Sequence, residues 1–232
     1  MNATTKTTRG AIRTKKTILS LFDCSGSWSK PYKEKGYDVV KVDIKSGTDI
    51  RDFEPIDCHG ILAAPPCTAF SIAGNQYWAK KDKNGATKEA LDLISATYRL
   101  ILTCNPVWWV LENPVGRLKY WLGKPVMYFN PNDYGGWLQE TERTHPLAPY
   151  QDAYQKKTCL WGVFNTPVKN HVAAHSDEKE RFWVQKKKFT TSTGEWIYDR
   201  PFIEGMTYDE KRAEIRSVTP LGFARAFANA NI

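Results

Sequence analysis

Short apolar runs recur along the chain, and most of them stop at a small, charged or turn-forming residue. Runs of this length are typical of strands that are buried on both faces of a sheet. Stretches with helical spacing separate several of the runs, as the crossovers of a parallel sheet require. The pattern therefore predicts an α/β fold, in which a mostly parallel sheet has helices on both faces. The predicted strands are residues 17–22, 37–43, 61–64, 106–111 and 125–129.

Helical spacing is clearest in residues 88–104, and Thr87 is predicted to cap their first turn. A shorter helix is predicted for residues 28–35, closed by Gly36. Residues 74–86 are polar, contain two glycines and several lysines, and predict a charged surface loop. The positions of the longer helix that are predicted to face the core are Leu91, Ile94, Tyr98, Ile101 and Leu102.

A cysteine follows one of the predicted buried strands after two prolines. Pro65 and Pro66 cannot continue a central strand, and their fixed φ angles stiffen the turn that follows. Cys67 is therefore predicted to be held rigidly at the carboxyl end of a strand, the edge where open α/β sheets bind ligands. The local pattern alone leaves a second interpretation open, an inert buried thiol beside a turn.

The first predicted unit has the order strand, small-residue turn, helix, strand and acid. This layout is typical of nucleotide-binding units, in which the turn lets a ligand approach the backbone at the start of the helix. Asp43 ends the second strand and is predicted to accept hydrogen bonds from ribose hydroxyls. The glycine signal is weak, since the turn contains only Gly26.

Glu112 stands at the end of an apolar strand. Burying a carboxylate is costly unless it is paired or protonated, so we expect its pKa to be raised. A raised pKa suits a proton donor near neutral pH. The alternative is a structural role, as a helix cap or an ion-pair partner.

Composition narrows the functional classes. The chain has 232 residues and five cysteines at irregular spacing with no CxxC pair, which argues against a disulfide framework and a zinc site. No apolar run approaches membrane-spanning length, so no membrane contact is expected. The cysteine spacing gives no reason to expect a metal either. The net charge is +8, and residues 1–16 contain five basic and no acidic residues. This arm is predicted to be disordered, and it either favours nucleic acid or serves solubility.

Five segments resemble motifs of the DNA cytosine-C5 methyltransferases, in that family's order. Residues 65–71 resemble its nucleophile loop, and residues 112–114 resemble its Glu-Asn-Val motif, with Pro114 for valine. Residues 20–27 resemble its first motif, and residues 47–52 its third. The first motif departs from the family at Ser20, Cys24 and Ser27. Residues 216–225 resemble the scaffold motif near the family's carboxyl end, with Gly222 for glutamate, and the final Gly-Asn motif is missing or reduced to residues 229–231.

The resemblance implies a Rossmann-like S-adenosylmethionine-dependent methyltransferase fold, of a compact, phage-type member. In catalysis it implies Cys67 as nucleophile, Glu112 as the group that holds or protonates the base, and Lys157 as a cation. The donor implied is S-adenosyl-L-methionine or a variant of it, with Asp49 on the adenine amino group and Ile44 and Ile50 around the ring. The donor-binding set is Phe22, Cys24, Ser25, Gly26, Asp43, Ile44, Asp49, Ile50 and Pro66. The substrate-binding set is Pro65, Ser71, Asn113, Lys156, Thr158, Lys186, Lys187 and Lys188.

The same resemblance divides the chain. The catalytic core is expected at residues 17–165, a short target-recognition insertion at 166–215, and the carboxyl-terminal part of the core at 216–232. Basic residues interleaved with aromatics in the insertion suit nucleic-acid contact, although a β-hairpin of no particular function is the alternative. The segment after the nucleophile is implied to be a mobile loop that closes over the substrate. The expected partner is DNA, and the protein is expected to be a monomer in the cytoplasm of a bacterial or phage-infected cell.

The implied reaction adds a methyl group to C5 of a flipped cytosine through a covalent bond between Cys67 and C6, as in restriction-modification enzymes. Three alternatives stay open. The enzyme could use a variant donor, it could act on RNA or a free nucleotide, or the chain could be a catalytically silent DNA-binding homologue.

Overall fold

The computed structural model describes residues 16–146, 148–174, 188–190, 196–198 and 217–232. The strands are β1 Thr17–Leu21, β2 Asp38–Val42, β3 Gly60–Ala63, β4 Trp108–Pro114, β5 Met127–Phe129, β6 Thr158–Val163, β7 Lys188–Thr190 and β8 Trp196–Tyr198. The α-helices are α1 Lys30–Glu34, α2 Trp78–Lys83, α3 Ala86–Cys104, α4 Lys119–Leu122 and α5 Leu221–Ala230. Short 3₁₀ helices cover Ile44–Ser46, Ile72–Tyr77, Pro131–Trp137 and Tyr150–Asp152.

Six strands form one sheet, in the order β2-β1-β3-β4-β6-β5. The neighbours from β2 to β4 are parallel, whereas β6 runs antiparallel to both β4 and β5. The predicted fold, a mostly parallel sheet, is therefore confirmed. The chain goes from β1 outward to β2 and then returns across β1 to β3, so the direction of winding reverses between β1 and β3. A crevice for ligands opens at such a switch point, outside the carboxyl ends of the strands.

Side chains of the central strands alternate between two cores, as the two-residue period of a strand requires. Leu19, Ile61 and Leu111 belong to the core under α3, whose Ile94 and Leu100 are buried there. The opposite face has its own core, which α1 and α5 cover. Its buried members include Ile18, Tyr32, Leu62, Trp108, Val110, Phe223 and Phe227. Helices thus lie on both faces of the sheet.

The long helix differs from its sequence-based prediction at two points. It begins at Ala86, after Gly85 at φ 83°, so Thr87 lies inside the first turn and does not cap it. The Thr87 hydroxyl instead donates to Asp82 at 2.6 Å. Leu102, predicted to face the core, is 78% exposed because it lies on the solvent side of the last turn.

Residues 72–83 are helical, so the prediction of a loop at residues 74–86 was wrong for most of that segment. A 3₁₀ helix, Ile72–Tyr77, leads directly into α2. The local sequence does not reveal this order, because the contacts that fix α2 come from a distant part of the chain. Asp82 forms an ion pair with Arg117 at 2.8 Å.

Most of the expected insertion lies outside the described residues. Residues 166–174 run along the 3₁₀ helix Pro131–Trp137, where the Val172 amide donates to the Asn132 carbonyl at 2.9 Å. Farther on, β7 and β8 form an antiparallel pair. Residues 1–15 of the basic arm also lie outside the described residues.

Candidate active site

The strand register brings four chain segments to one edge of the sheet. Leu21 pairs with both Val42 and Ala63, and Ala63 pairs with Leu111. The residues that follow these four positions therefore lie side by side at the carboxyl edge of the sheet. They include Phe22, Asp43, Ala64 and Glu112.

Cys67 lies in a tight turn that leaves this edge. Its carbonyl accepts hydrogen bonds from the amides of Phe70 and Ser71, both at 2.9 Å. Pro65 is buried, Pro66 is exposed and Cys67 is half-buried, so the turn reaches the surface from a buried first residue. The structure thus places the thiol at the strand end, as the proline pattern predicted.

The turn is bonded to the segment that follows Glu112. The side-chain amide of Asn113, which is fully buried, donates to the Pro65 carbonyl at 3.0 Å. On the far side of Cys67, the Ile72 amide donates to the Val115 carbonyl at 2.9 Å. Ser71 and Gly116 form an isolated antiparallel bridge. The backbone on both sides of Cys67 is therefore tied to the extension of β4, which also carries Glu112.

Glu112 faces Leu160 of the antiparallel neighbour β6. The residue keeps some exposure as a whole, but desolvation of its carboxyl group raises the pKa, and the positive charge of Lys156 acts in the opposite direction. The predicted direction of the pKa shift is confirmed. The negative charge of Glu112 also contributes to the raised pKa of Tyr154, after burial and Asp152. Glu112 is thus held toward its protonated form, which can donate to an acceptor.

Residues 156–158, which include the two predicted lysines, lie opposite the end of β4, where β6 begins. Thr158 pairs with Pro114, is buried, and donates to the Lys156 carbonyl at 2.9 Å. The exposed Lys157 places its ammonium group 5.2 Å from the centre of the Tyr128 ring. The structure thus brings Lys156 and Lys157 to the edge that carries Glu112.

The turn after β1 is built around a residue that the sequence analysis did not single out. The buried carboxylate of Asp23 accepts from the hydroxyls of Ser20 at 2.9 Å and Ser29 at 2.7 Å, and from the Ser29 amide at 3.1 Å. A serine-rich turn around one aspartate is a local signal that could have identified it. These bonds shape the segment that contains Cys24 and Ser25, both of which are exposed.

Two residues of this turn have left-handed backbone angles. Phe22 has φ 61°, which is uncommon for an aromatic residue, and its amide donates to the Val42 carbonyl at 2.8 Å. Gly26 has φ 71°, and its carbonyl accepts from the amide of Lys30, the first residue of α1, at 2.9 Å. Left-handed non-glycine residues cost on the order of 1–3 kcal/mol and cluster at functional sites, which fits the predicted role of Phe22.

The Asp43 carboxylate is available in part. Its Oδ1 accepts from the Lys45 amide at 2.8 Å, and its Oδ2 has no hydrogen bond within the described part of the chain. Ile44, the next residue, is 68% exposed on the same edge. A carboxylate oxygen beside an exposed apolar side chain matches what a ribose and an adjoining base require.

Asp49 differs from Asp43 because both of its oxygens are engaged. Arg51 donates to them from Nε, at 3.0 and 3.1 Å, and from its backbone amide at 2.9 Å, and these bonds lower the pKa of Asp49 to about 2. Ile50 is 3% exposed and packs in the core under α3. The structure therefore places Ile44 at the open edge and Ile50 away from it.

The remaining predicted positions are only partly described. Lys186 and Lys187 lie outside the described residues, and Lys188 is the first residue of β7. No helix in the described ranges is long and apolar enough to cross a membrane. The same ranges contain no group of three or more His, Cys, Asp or Glu residues that could hold a metal ion.

Comparison with known proteins finds one family model that matches the first part of the chain. Residues 9–120 match the family model of the C-5 cytosine-specific DNA methylases. The resemblance to the DNA cytosine-C5 methyltransferases is confirmed. The matched region contains the β1 turn, Asp43, Asp49, Cys67 and Glu112, and it ends before Lys156.

The other comparisons add little to the methylase match. No curated protein matches the chain. One similar crystal structure is described as a DNA modification methyltransferase encoded within an E. coli prophage. It shares 18% identity at a TM-score of 0.40, over 64% of this chain and 47% of that one, so this chain spans about half its length. The strand order, and not this similarity, shows the fold.

The residues at the edge fit the methyl donor that the methylase family implies. The partly available Asp43 carboxylate, the exposed Ile44 and the left-handed backbone at Phe22 and Gly26 form a polar and apolar set suited to a nucleoside. Asp49 fits less directly, because Arg51 occupies its oxygens.

Proposed function

We propose that the protein transfers a methyl group from S-adenosyl-L-methionine to C5 of cytosine in DNA, through a covalent bond between Cys67 and C6. The observation that supports this proposal is the pairing of two elements at the switch point. The Cys67 turn and the Glu112 strand are hydrogen-bonded to each other within the region that matches the methylase family.

In the proposed reaction, the Cys67 thiolate attacks C6 while the protonated Glu112 donates to N3 of the base. Electron density moves to C5, which becomes an enamine-like nucleophile. S-adenosyl-L-methionine supplies the methyl group when it is bound. Loss of the C5 proton to a base then restores the ring and expels Cys67 as a thiolate. Burial raises the pKa of Glu112 above its ordinary value, which favours the protonated form that this step needs.

The donor would be held by the turn after β1 and by the end of β2. Asp43 is suited to the ribose hydroxyls through Oδ2, and Phe22 and Ile44 provide apolar surface beside it. Cys24 and Ser25 lie on the exposed side of the turn, where they could contact the methionine part. The Cys24 and Ser27 departures leave room for a variant donor.

The DNA would lie across the lysine-bearing edge. Lys156 and Lys157 provide positive charge near Glu112, and the flipped cytosine would enter the crevice between the Cys67 turn and β6. The roles of Lys186, Lys187 and Lys188 in holding DNA stay predictions. The proposed setting is the cytoplasm of a bacterial or phage-infected cell, and a monomer would suffice.

The proposal is tested with duplex DNA in which cytosine is replaced by 5-fluorocytosine. Fluorine cannot leave C5 as the proton does, so a covalent adduct should accumulate and survive denaturing electrophoresis. Cys67→Ala should abolish the adduct while donor affinity, measured by calorimetry, is retained. Cys104→Ala removes a thiol outside the site and serves as the matched control.

Two results would contradict the proposal. An adduct that persists in Cys67→Ala would remove Cys67 as the nucleophile. Turnover of dCMP or dCTP by the wild-type protein, with none on oligonucleotides, would replace DNA by a free nucleotide as the substrate.

A further inference from the structure

Arg117 is a nearly buried cation that lies five residues beyond Glu112. Its side chain is 8% exposed, whereas that of its partner Asp82 is 51% exposed. A buried guanidinium is tolerated only when its donors are satisfied, so its partners show what it holds in place. They all belong to the segment that follows Cys67 or to the start of α3.

The first group of bonds holds the backbone directly after Cys67. The Arg117 Nε donates to the Ala69 carbonyl at 2.9 Å, and the Arg117 amide donates to the Phe70 carbonyl at 2.9 Å. Both carbonyls lie within three residues of the thiol. One residue thus fixes two consecutive peptide groups of the nucleophile turn.

The second group ties the guanidinium to α2 and α3. Its Nη1 and Nη2 donate to the two Asp82 oxygens at 2.9 and 2.8 Å, and Nη2 also donates to the Thr87 hydroxyl at 2.8 Å. Trp78 and Trp121 lie 4.9 and 5.8 Å from the guanidinium carbon. Bidentate pairing and two aromatic neighbours restrict the orientation of the guanidinium, so the Ala69 bond comes from a fixed donor.

Gly116 allows the close approach on which this arrangement depends. A Cβ at this position would lie 1.9 Å from the Phe70 carbonyl oxygen, so any other residue would push the two segments apart. The contact brings the Glu112 strand extension directly under the turn that carries Cys67.

We propose that Arg117 is a positioning residue that sets the place of Cys67 relative to Glu112, by fixing the Ala69 and Phe70 carbonyls through a guanidinium anchored on Asp82. The catalytic part of this inference, an effect on methyl transfer, rests on the proposed function. Its geometric part concerns the thiol alone, and that part is tested without DNA or donor.

The experiment measures alkylation of Cys67 by iodoacetamide, with peptide mass spectrometry resolving each cysteine. The exposed Cys24 lies on the β1 turn and serves as the internal reference. Arg117→Met keeps the aliphatic stem and removes the donors. It should raise the Cys67-to-Cys24 labelling ratio at least threefold, because the half-buried thiol loses its fixed turn. Arg117→Lys can restore one donor without the fork, and should give an intermediate ratio.

Arg225→Met is the matched control, because Arg225 forms a comparable fork on the other face of the sheet. Arg225 Nη1 and Nη2 donate to the Glu142 carboxylate at 2.7 and 2.8 Å, and Nη1 also donates to the Trp137 carbonyl at 3.2 Å. This variant should lose thermal stability and leave the labelling ratio unchanged. In methyl-transfer assays well below the melting temperature, Arg117→Met should lower kcat by roughly tenfold or more, with the KM for the donor unchanged.

The outcomes separate the two claims. An unchanged labelling ratio in folded Arg117→Met, or an equal rise in Arg225→Met, overturns the positioning role. If Arg117→Met does not fold, Asp82→Asn takes its place, since Asp82 is half-exposed and its loss frees one end of the guanidinium. An unchanged ratio in Asp82→Asn overturns the role as well. A raised ratio in Arg117→Met, together with no adduct between the wild-type protein and 5-fluorocytosine DNA, would keep the positioning role and refute the proposed function.

Discussion

The donor side of the switch point is the turn after β1 with the residues that follow β2, which are proposed to hold the methyl donor. The acceptor side is the Cys67 turn with the extension of β4, which are proposed to act on cytosine. The hydrogen bonds within these two sides join residues at different separations along the chain. On the donor side, Asp43 and Asp49 are bonded to residues only two positions away, and Asp23 to residues three and six positions away. On the acceptor side, Asn113 and Arg117 reach the Cys67 turn across 48 positions of the chain. The three donor-side carboxylates are therefore bonded within their own turns, whereas the acceptor side is one unit made from two distant segments. A change on the donor side should alter donor affinity, whereas a change on the acceptor side should alter the rate of the reaction.

The largest expected difference between the two sides comes from Glu112→Gln. This substitution removes the carboxylic acid proposed to donate to N3 of cytosine and keeps nearly the same side-chain shape. The kcat for methyl transfer to DNA should therefore fall by about 10²–10⁴. Donor affinity should stay within about twofold, because the donor side shares no hydrogen bond with Glu112. Steady-state kinetics and calorimetry measure the two quantities. A rate within threefold of wild type would assign Glu112 a structural role.

On the donor side, Asp43→Ala should weaken S-adenosyl-L-methionine binding by roughly 1–3 kcal/mol, since hydroxyl partners are left unpaired. Asp49→Ala should weaken donor binding less, because both Asp49 oxygens already accept from Arg51. Calorimetry of both variants checks the order, and neither should change the Cys67 labelling ratio. A larger loss for Asp49→Ala would mean that Arg51 moves aside and that Asp49 contacts the adenine.

The smallest expected effect concerns pH. Because Glu112 has a raised pKa, the rate should fall as pH rises through that value and the carboxyl loses its proton. Stability should fall in the same direction. The folded state binds the Glu112 proton more tightly than the unfolded state does, so the free energy of unfolding decreases as pH rises through the pKa of Glu112.

Lys156→Met tests whether this pH dependence belongs to Glu112. Lys156 lowers the pKa of Glu112, so its removal should move the alkaline limb of the rate profile to higher pH. The profile of kcat against pH measures the shift, with Lys169→Met as a control, since Lys169 pairs with Asp133 at 3.2 Å. An alkaline limb that does not move in Lys156→Met would assign the limb to a different group.

Local chemistry explains which features the sequence could predict. The strand before Pro65 and the acid at Asp43 follow from short-range rules on proline and on strand ends, so both were placed correctly. The α2 helix was missed because its order depends on the Asp82–Arg117 pair, whose partners are 35 positions apart. Ile50 was expected around the adenine ring, and it packs in the core under α3. An apolar side chain in a turn can point toward either place, and nothing in the local pattern separates these cases, so its contact with the donor stays a prediction.

The helix α5 has a consequence for the order in which the fold can assemble during synthesis. The face of the sheet that contains Trp108 and Phe129 is covered by Phe223 and Phe227, which follow β6 by more than fifty residues. At about 5–20 residues per second, a ribosome needs several seconds to make that stretch. During this interval, all six strands of the sheet exist while this apolar face lacks the cover of α5. The nascent chain is therefore expected to need a chaperone, or to delay closure of the sheet, until α5 emerges.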